Sequence, residues 1–379
     1  MFKNAIDVVR VFGFRIKIDP SWFLIVALIV WSLSTSYFPN ELPGYSRAGY
    51  ILLSFLAALG FFSSLILHEL SHSLVARRFG VKIAGITLFI FGGVAELEKE
   101  PSSAKSEFWI AIAGPAMSLF LSGVALVISA AIQSSGLSQA GAVLFSYLGL
   151  INLVLAIFNM IPAFPMDGGR ILRAALWAYR GDLLWATRIA SKAGIIFGYA
   201  LVFFGLWALF SGATIGGLWQ ILIGMFVLSA SKGTYQHLVT KEALEGQTVR
   251  ALMTHDSSVV SPADTLEHVV NDIMLGHNVS FVPVLDRDHL LGYIDTALVQ
   301  NTKRDKWADL LVGDVYVATS EVNTISPDTP TQNLMEKISK TGQRKFLVSD
   351  GNRLLGVITL ADLSSYLAIR QGLAPHPGA

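Results

Sequence analysis

Six apolar runs, at roughly 21–38, 49–76, 107–132, 142–161, 191–211 and 216–235, constrain this 379-residue chain more than any other feature. Each is long enough to cross about 30 Å of hydrocarbon as a helix, and a water-soluble domain seldom carries so many. The composition agrees, with 53% hydrophobic and only 15% charged residues. Basic residues then alternate between connections. Lys3, Arg10, Arg15 and Lys17 precede the first run; Arg77, Arg78, Lys82, Lys99 and Lys105 follow the second. Arg170, Arg173, Arg180, Arg188 and Lys192 follow the fourth, and Lys232 and Lys241 follow the sixth. The other connections hold Arg47 or no charge at all. By the positive-inside rule this pattern puts both termini in the cytoplasm, and it fits six spans where five or seven would break it. The opening "MFKNAIDVVRVFGFRIKIDPSW" lacks the layout of a cleaved signal peptide, so the first span is expected to stay in the mature protein.

Several function classes drop out. With no cysteine, disulfides, thiolate zinc sites and cysteine nucleophiles are excluded. A net charge of +1 offers no basic surplus for nucleic acid.

Against the apolar background stands "LILHELSHSLVA", Leu65–Ala76. Polar groups inside a span are costly unless something binds them, so they read as functional. His68 and His72 are four residues apart and share one helix face, where two imidazoles can hold one zinc ion. Glu69 beside them can take a proton from a water at the ion. A catalytic zinc usually has a third protein ligand. His68 lies about 13 Å along a helix from Arg77, so the partner belongs near the cytoplasmic side. Past the fourth run, "NMIPAFPMDGGR" (Asn159–Arg170) places Asp167 at that depth, on a Pro- and Gly-rich stretch expected to be irregular. Gly168 and Gly169 are expected to let the backbone approach the ion. A helix cap or an ion pair to Arg170 is the alternative role for Asp167, and HExxH patterns also arise by chance in soluble helices.

HELSH within a span, together with "NMIPAFPMDGGR", resembles the site-2 protease family of intramembrane zinc metalloproteases. "FGFRIKIDPSWFL" resembles that family's approach to its first span, and the likeness covers about 1–240. It implies one zinc ion per chain held by His68, His72 and Asp167, with Glu69 as general base. It also implies cleavage of a peptide bond in or near the membrane-spanning segment of a protein substrate, with lipid around the enzyme. Asn159 would stabilise the oxygen of the tetrahedral intermediate. The sequence departs from many members at Ser118, where they carry asparagine after the Gly-Pro of the third span.

Accessory residues follow. Gly114 and Pro115 lie at the depth of His68 and read as room for substrate or for the metal helix, or as plain helix packing. "KIAGITLFIFGGVAELEKEP" (82–101) reads as a membrane-associated cytoplasmic β-hairpin turning at Gly92-Gly93. In the family such a sheet receives unwound substrate as an added strand; an amphipathic surface hairpin is the plainer alternative. Asn152 shares a helix face with Asn159 and reads as its support, as part of a water path, or as an interhelical hydrogen bond.

From about Glu242 the composition becomes that of a soluble α/β domain. A linker at 241–246 leads into an internal repeat, 247–305 and 312–368 within 247–368, and then a tail, 369–379. "SPADTLEHV" answers "SPDTPTQNL", and "LLGYID" answers "LLGVIT". Capping boxes are expected at Asp264 with Glu267 and at Thr329 with Gln332, with Pro330 at the first helical position. The repeat resembles a tandem pair of cystathionine-β-synthase (CBS) domains, which implies adenine nucleotide binding (ATP, ADP or AMP), with Thr359 and Asp362 of "GVITLAD" contacting it. In "GYIDTAL" Asp295 replaces the hydroxyl residue and would repel phosphate. A dimerisation module without ligand is the alternative, and either state could alter access to the zinc site. The expected fold is thus a multi-pass α-helical membrane protein with a cytoplasmic hairpin and a C-terminal α/β CBS pair. The expected activity is intramembrane zinc proteolysis; a CBS-gated transporter or channel, its His/Asp cluster an ion pathway, is the alternative.

Overall fold

A computed structural model describes residues 5–90, 92–97 and 100–373. Lys3, Lys99 and residues 374–379 of the expected tail lie outside them. The chain divides into two compact units, Met1–Gln236 and His237–Ala379.

The first unit begins with a hairpin, β1 (Ile6–Val11) and β2 (Phe14–Ile18), turning through Phe12 and Gly13 at positive φ. Asp19 accepts the N–H and hydroxyl of Ser21 at 2.9 and 2.6 Å; these bonds hold its carboxyl below the ordinary carboxylate range. The first span, Ser21–Glu41, is built from α1 (Ser21–Ser32), a π-helical turn and α2 (Phe38–Glu41). Then come α3 (Arg47–Arg78), a second hairpin of β3 (Ile83–Phe89) and β4 (Gly92–Leu97), α4 (Ala104–Ser135) and α5 (Gln139–Asn159). The series ends with α6 (Asp167–Arg180), α7 (Leu183–Phe210) and α8 (Thr214–Leu244). Local chemistry sets these limits. Ser46, Ser103, Ser138 and Asp182 accept backbone N–H groups at the starts of α3, α4, α5 and α7, while Gly136 and Gly181 close α4 and α6 in the left-handed region.

Among the described residues five helical segments are long and apolar enough to cross a membrane. Side chains such as Phe120, Val127, Ile157 and Phe210 stand exposed on them, as lipid contact requires. The sixth expected run lies within α8. The fifth span starts at Leu183 rather than near 191, because Asp182 caps the helix there.

The N-terminal hairpin joins the second in a four-stranded sheet, β1-β2-β3-β4, with β2 and β3 parallel. Two local expectations are corrected. Gly92 and Gly93 are not the turn. They pair with Phe89 and Leu88 inside β4, and the connection falls before them. Asp167 is not on irregular backbone either. The irregular stretch ends at Met166, and Asp167, Gly168 and Gly169 form the first turn of α6, an amphipathic helix. The sheet's buried face, Phe14, Ile86 and Leu88, packs against Leu65 and Leu70 of α3, the residues flanking His68.

In the second unit α9 (Val249–Leu252) and α10 (Leu266–His268, running on as a π-helical turn) precede β5 (Phe281–Asp286), β6 (His289–Asp295) and α11 (Thr296–Gln300). After α12 (Val312–Val315), β7 (Val317–Ala318) and β8 (Thr324–Ile325) come α13 (Thr331–Thr341), β9 (Lys345–Asp350), β10 (Arg353–Thr359) and α14 (Leu360–Leu373). Two three-stranded sheets result, β5-β6-β7 and β10-β9-β8, each over its own core; β7, though it falls within the second repeat, pairs with β6 of the first. Phe281, Leu290, Tyr293, Leu347 and Val357 form a third cluster joining the two. The expected capping boxes are not formed. Thr265, not Asp264, caps α10, because the Asp264 carboxylate accepts the Ser261 N–H at 2.7 Å. Pro330 stands just before α13, and the Thr331 hydroxyl donates to the Gln247 carbonyl.

Candidate metal centre

The centre assembles on three helices. On α3, His68 and His72 point the same way one turn apart, with Nε2 atoms 3.1 Å from each other. Asp167 comes from the start of α6, and its Oδ2 lies 3.2 Å from His68 Nε2 and 3.1 Å from His72 Nε2. All three are buried, at 2%, 5% and 8% exposure. Among the described residues this is the one group of three or more histidine, cysteine or acidic side chains whose ligand atoms converge, all within 4.8 Å.

The third helix, α4, orients the rings. His72 Nδ1 lies 2.6 Å from the Ile110 carbonyl, which can only accept, so Nδ1 carries a proton and Nε2 is the nitrogen turned toward His68 and Asp167. His68 Nδ1 lies 2.8 Å from the Ser118 hydroxyl, which can accept in the same way. Pro115 interrupts the backbone ladder of α4 one turn beyond Ile110. Gly114 faces both rings: a Cβ there would stand 2.5 Å from His68 Nε2 and closer still to His72. The donor set fits zinc: two imidazoles hydrogen-bonded at their outer nitrogens, one carboxylate, and a bare glycine facing the inner nitrogens.

A cavity of about 210 Å³ opens beside this group. Its wall includes Glu69, Asn159, Gly93, Val94 and Arg170. Glu69 lies against β4 so closely that a Cβ on Gly93 would fall 2.7 Å from its Cγ. Asn159 ends α5 and is half-buried in the wall.

Other singled-out residues lie elsewhere. Asn152 is not in the cavity wall; its Nδ2 donates to Ser64 Oγ of α3 at 3.1 Å and to the Leu148 carbonyl, an interhelical bond. Gly168 and Gly169 do not bring backbone to the rings. They pack on the 160–164 segment, where any Cβ would strike the Met160, Ile161 or Ala163 backbone. Arg170, read in the sequence as a topogenic charge and as an alternative partner for Asp167, stands in the wall. Its place there follows from α6 being helical, since residues three apart then lie on neighbouring faces.

In the second unit, Thr359 donates its N–H and hydroxyl to Asp362 Oδ2, both at 2.8 Å, at the start of α14. The matching Asp295 caps α11 through the Leu298 N–H, and its other oxygen lies 3.4 Å from Lys345 Nζ. The charge expected to repel phosphate therefore has a cation of its own.

The profile of peptidase family M50 matches residues 56–143 and 130–205, and that of the CBS domain matches 249–297 and 312–369. A Mycobacterium tuberculosis protein named as zinc metalloprotease Rip3 is 32% identical over 99% of this chain and 96% of its own. A Synechocystis protein named as zinc metalloprotease sll0528 is 31% identical over 95% and 94%. Zinc metalloprotease MJ0392 of Methanocaldococcus jannaschii is 32% identical over 81% and 84%. These likenesses select zinc proteolysis over a transporter or channel. The chain belongs to the family of membrane-embedded zinc metalloproteases known as peptidase family M50, of site-2 protease type, here joined to a C-terminal CBS pair.

Proposed function

We propose that one zinc ion per chain is held by His68, His72 and Asp167, and that Glu69 and Asn159 perform the chemistry on a peptide bond of a membrane-spanning substrate. The observation that carries this reading is the convergence of two ring nitrogens and one carboxylate oxygen at the edge of a cavity shared with Glu69. When bound, zinc supplies Lewis acidity, polarising the scissile carbonyl and making a water acidic enough to attack. Glu69 takes the proton from that water and delivers it to the departing amine. The Asn159 side-chain amide donates to the oxygen on which negative charge develops.

The substrate is read as an unwound stretch lying along β4. That strand ends the sheet order, so its outer backbone groups have no strand neighbour among the described residues, and Gly93 and Val94, just past Gly92, bring it to the cavity. Gly114 and Pro115 shape α4 around the rings, and Asn152 fixes α5, which carries Asn159, on α3. Both termini are placed in the cytoplasm on the alternation of basic residues. The membrane-embedded domain is read as 1–240, the linker as 241–246 and the CBS pair as 247–368. Elemental analysis of the purified chain tests the centre: one zinc per chain is expected, falling to background in His68→Ala. Zinc retained in that variant would remove the reading.

The CBS pair is read as a regulatory module taking one adenine nucleotide (ATP, ADP or AMP) at Thr359 and Asp362, and as a homodimer contact. The Asp295–Lys345 pair supports a single site, since the first copy's equivalent position is already engaged. Calorimetry of the full chain in detergent is expected to give saturable heat at a stoichiometry near one, lost in Asp362→Ala. Absence of heat at millimolar nucleotide would leave the module as a dimer contact alone.

A further inference from the structure

One buried ion pair stands outside the chemistry described above. Arg173 of α6 and Glu107 of α4 are 6% and 0% exposed. Arg173 donates from both Nε, at 2.7 Å, and Nη2 to Glu107 Oε1, while Glu107 Oε2 has no hydrogen-bond partner among the described residues. The guanidinium also lies 5.1 Å from the ring centre of Phe164, in the irregular segment that leads into Asp167. One side chain thus ties together α4, α6 and the segment before α6.

The placement of Glu107 gives the pair its meaning. Glu107, Ile110, Gly114 and Ser118 recur at spacings of three and four, which puts them along one stripe of α4. Ile110 and Ser118 bind the outer nitrogens of the two rings, and Gly114 faces their inner nitrogens. The fourth member, Glu107, grips the helix that brings Asp167. Two apolar side chains of similar volume could hold α4 and α6 together equally well. A doubly donated Arg–carboxylate contact does something they cannot, because it fixes distance and angle. The first residue of α6 has no side-chain cap to hold it in place.

We infer that Glu107 and Arg173 are positioning residues of the metal centre: through α4 they register the Asp167 carboxylate against the two histidine rings. The inference rests on the zinc reading of the centre. It assigns the pair no contact with substrate.

Full-length protein in detergent, stripped by chelator, would be titrated with Zn²⁺ against a chromophoric competitor and, separately, loaded with Co²⁺ for its visible absorption. Arg173→Lys, Glu107→Gln and the apolar double variant Glu107→Leu/Arg173→Met are compared with wild type, and circular dichroism and thermal unfolding identify the folded ones. Each folded variant is expected to bind zinc about 10- to 100-fold more weakly, the cost usual for partners of metal ligands, and to show a shifted cobalt spectrum. The double variant is expected to stay weak even though its helices pack. Wild-type affinity and an unchanged cobalt spectrum in any folded variant would overturn the inference. Should Arg173→Lys or Glu107→Gln unfold, the double variant, which leaves no lone buried charge, decides. A wild type that binds no more zinc than His68→Ala would sink the metal reading itself, a result distinct from normal binding in every arm.

Discussion

Glu69→Gln, reconstituted in liposomes with a labelled single-span substrate, is expected to cut roughly 10²–10⁴-fold more slowly than wild type while keeping its zinc. The substitution is nearly isosteric and replaces the proton acceptor with an amide that cannot take the water's proton. Zinc should persist because the converging ligand atoms belong to His68, His72 and Asp167, and Glu69 is not among them. Folding should persist too, since the side chain lines the cavity and an amide of equal size meets Gly93 in the same way. Single-turnover cleavage and metal analysis on the same preparation read both halves. Undiminished cleavage would reject Glu69 as the base, and lost zinc would make it a ligand.

A second large effect is expected from adding one methyl group. Gly114→Ala should weaken zinc binding by roughly 100-fold, the upper end of what changes around metal ligands usually cost, and abolish cleavage in step. The new Cβ would stand 2.5 Å from both His68 Nε2 and His72 Cε1. The rings have no easy retreat, because Ser118 and the Ile110 carbonyl hold them from α4 itself. The helix has no easy retreat either, being packed on α3 and on α6. Gly123→Ala is the control: it lies on the same helix with nothing within 4 Å of its added Cβ, and should bind zinc normally. Competition titration on the two variants reads the contrast, and normal zinc affinity in Gly114→Ala would mean that α4 can shift away from the rings.

What the sequence revealed and what it concealed separate along physical lines. Long apolar runs and the four-residue spacing of His68 and His72 are local signals, written in consecutive residues, and the helices follow them. The pairing of β2 with β3 is not local. It joins strands separated by two membrane-crossing segments, so the N-terminal arm showed only as basic residues alternating with apolar ones. Asp167 was legible as a carboxylate at the right depth, but Pro162, Pro165 and the paired glycines suggested irregular backbone beyond it. The prolines do break the chain, yet glycine at 168 and 169 serves helix-on-loop contact, which spacing cannot disclose. The grip of Arg173 on Glu107 was hidden for another reason. Arg173 counted as a cytoplasmic charge in the topology argument, and a topogenic charge and a buried ion pair look the same in one dimension.

The two histidine rings are steered by hydrogen-bond partners of unlike origin, and that difference bears on how the enzyme can drift. The hold on His72 comes from a main-chain carbonyl at position 110, which every amino acid supplies. Substitution there can disturb packing but cannot delete the acceptor. The hold on His68 comes from the Ser118 side chain, so a single codon change removes or exchanges it. Selection can therefore tune one ring through residue 118, while the other stays anchored by the polypeptide itself.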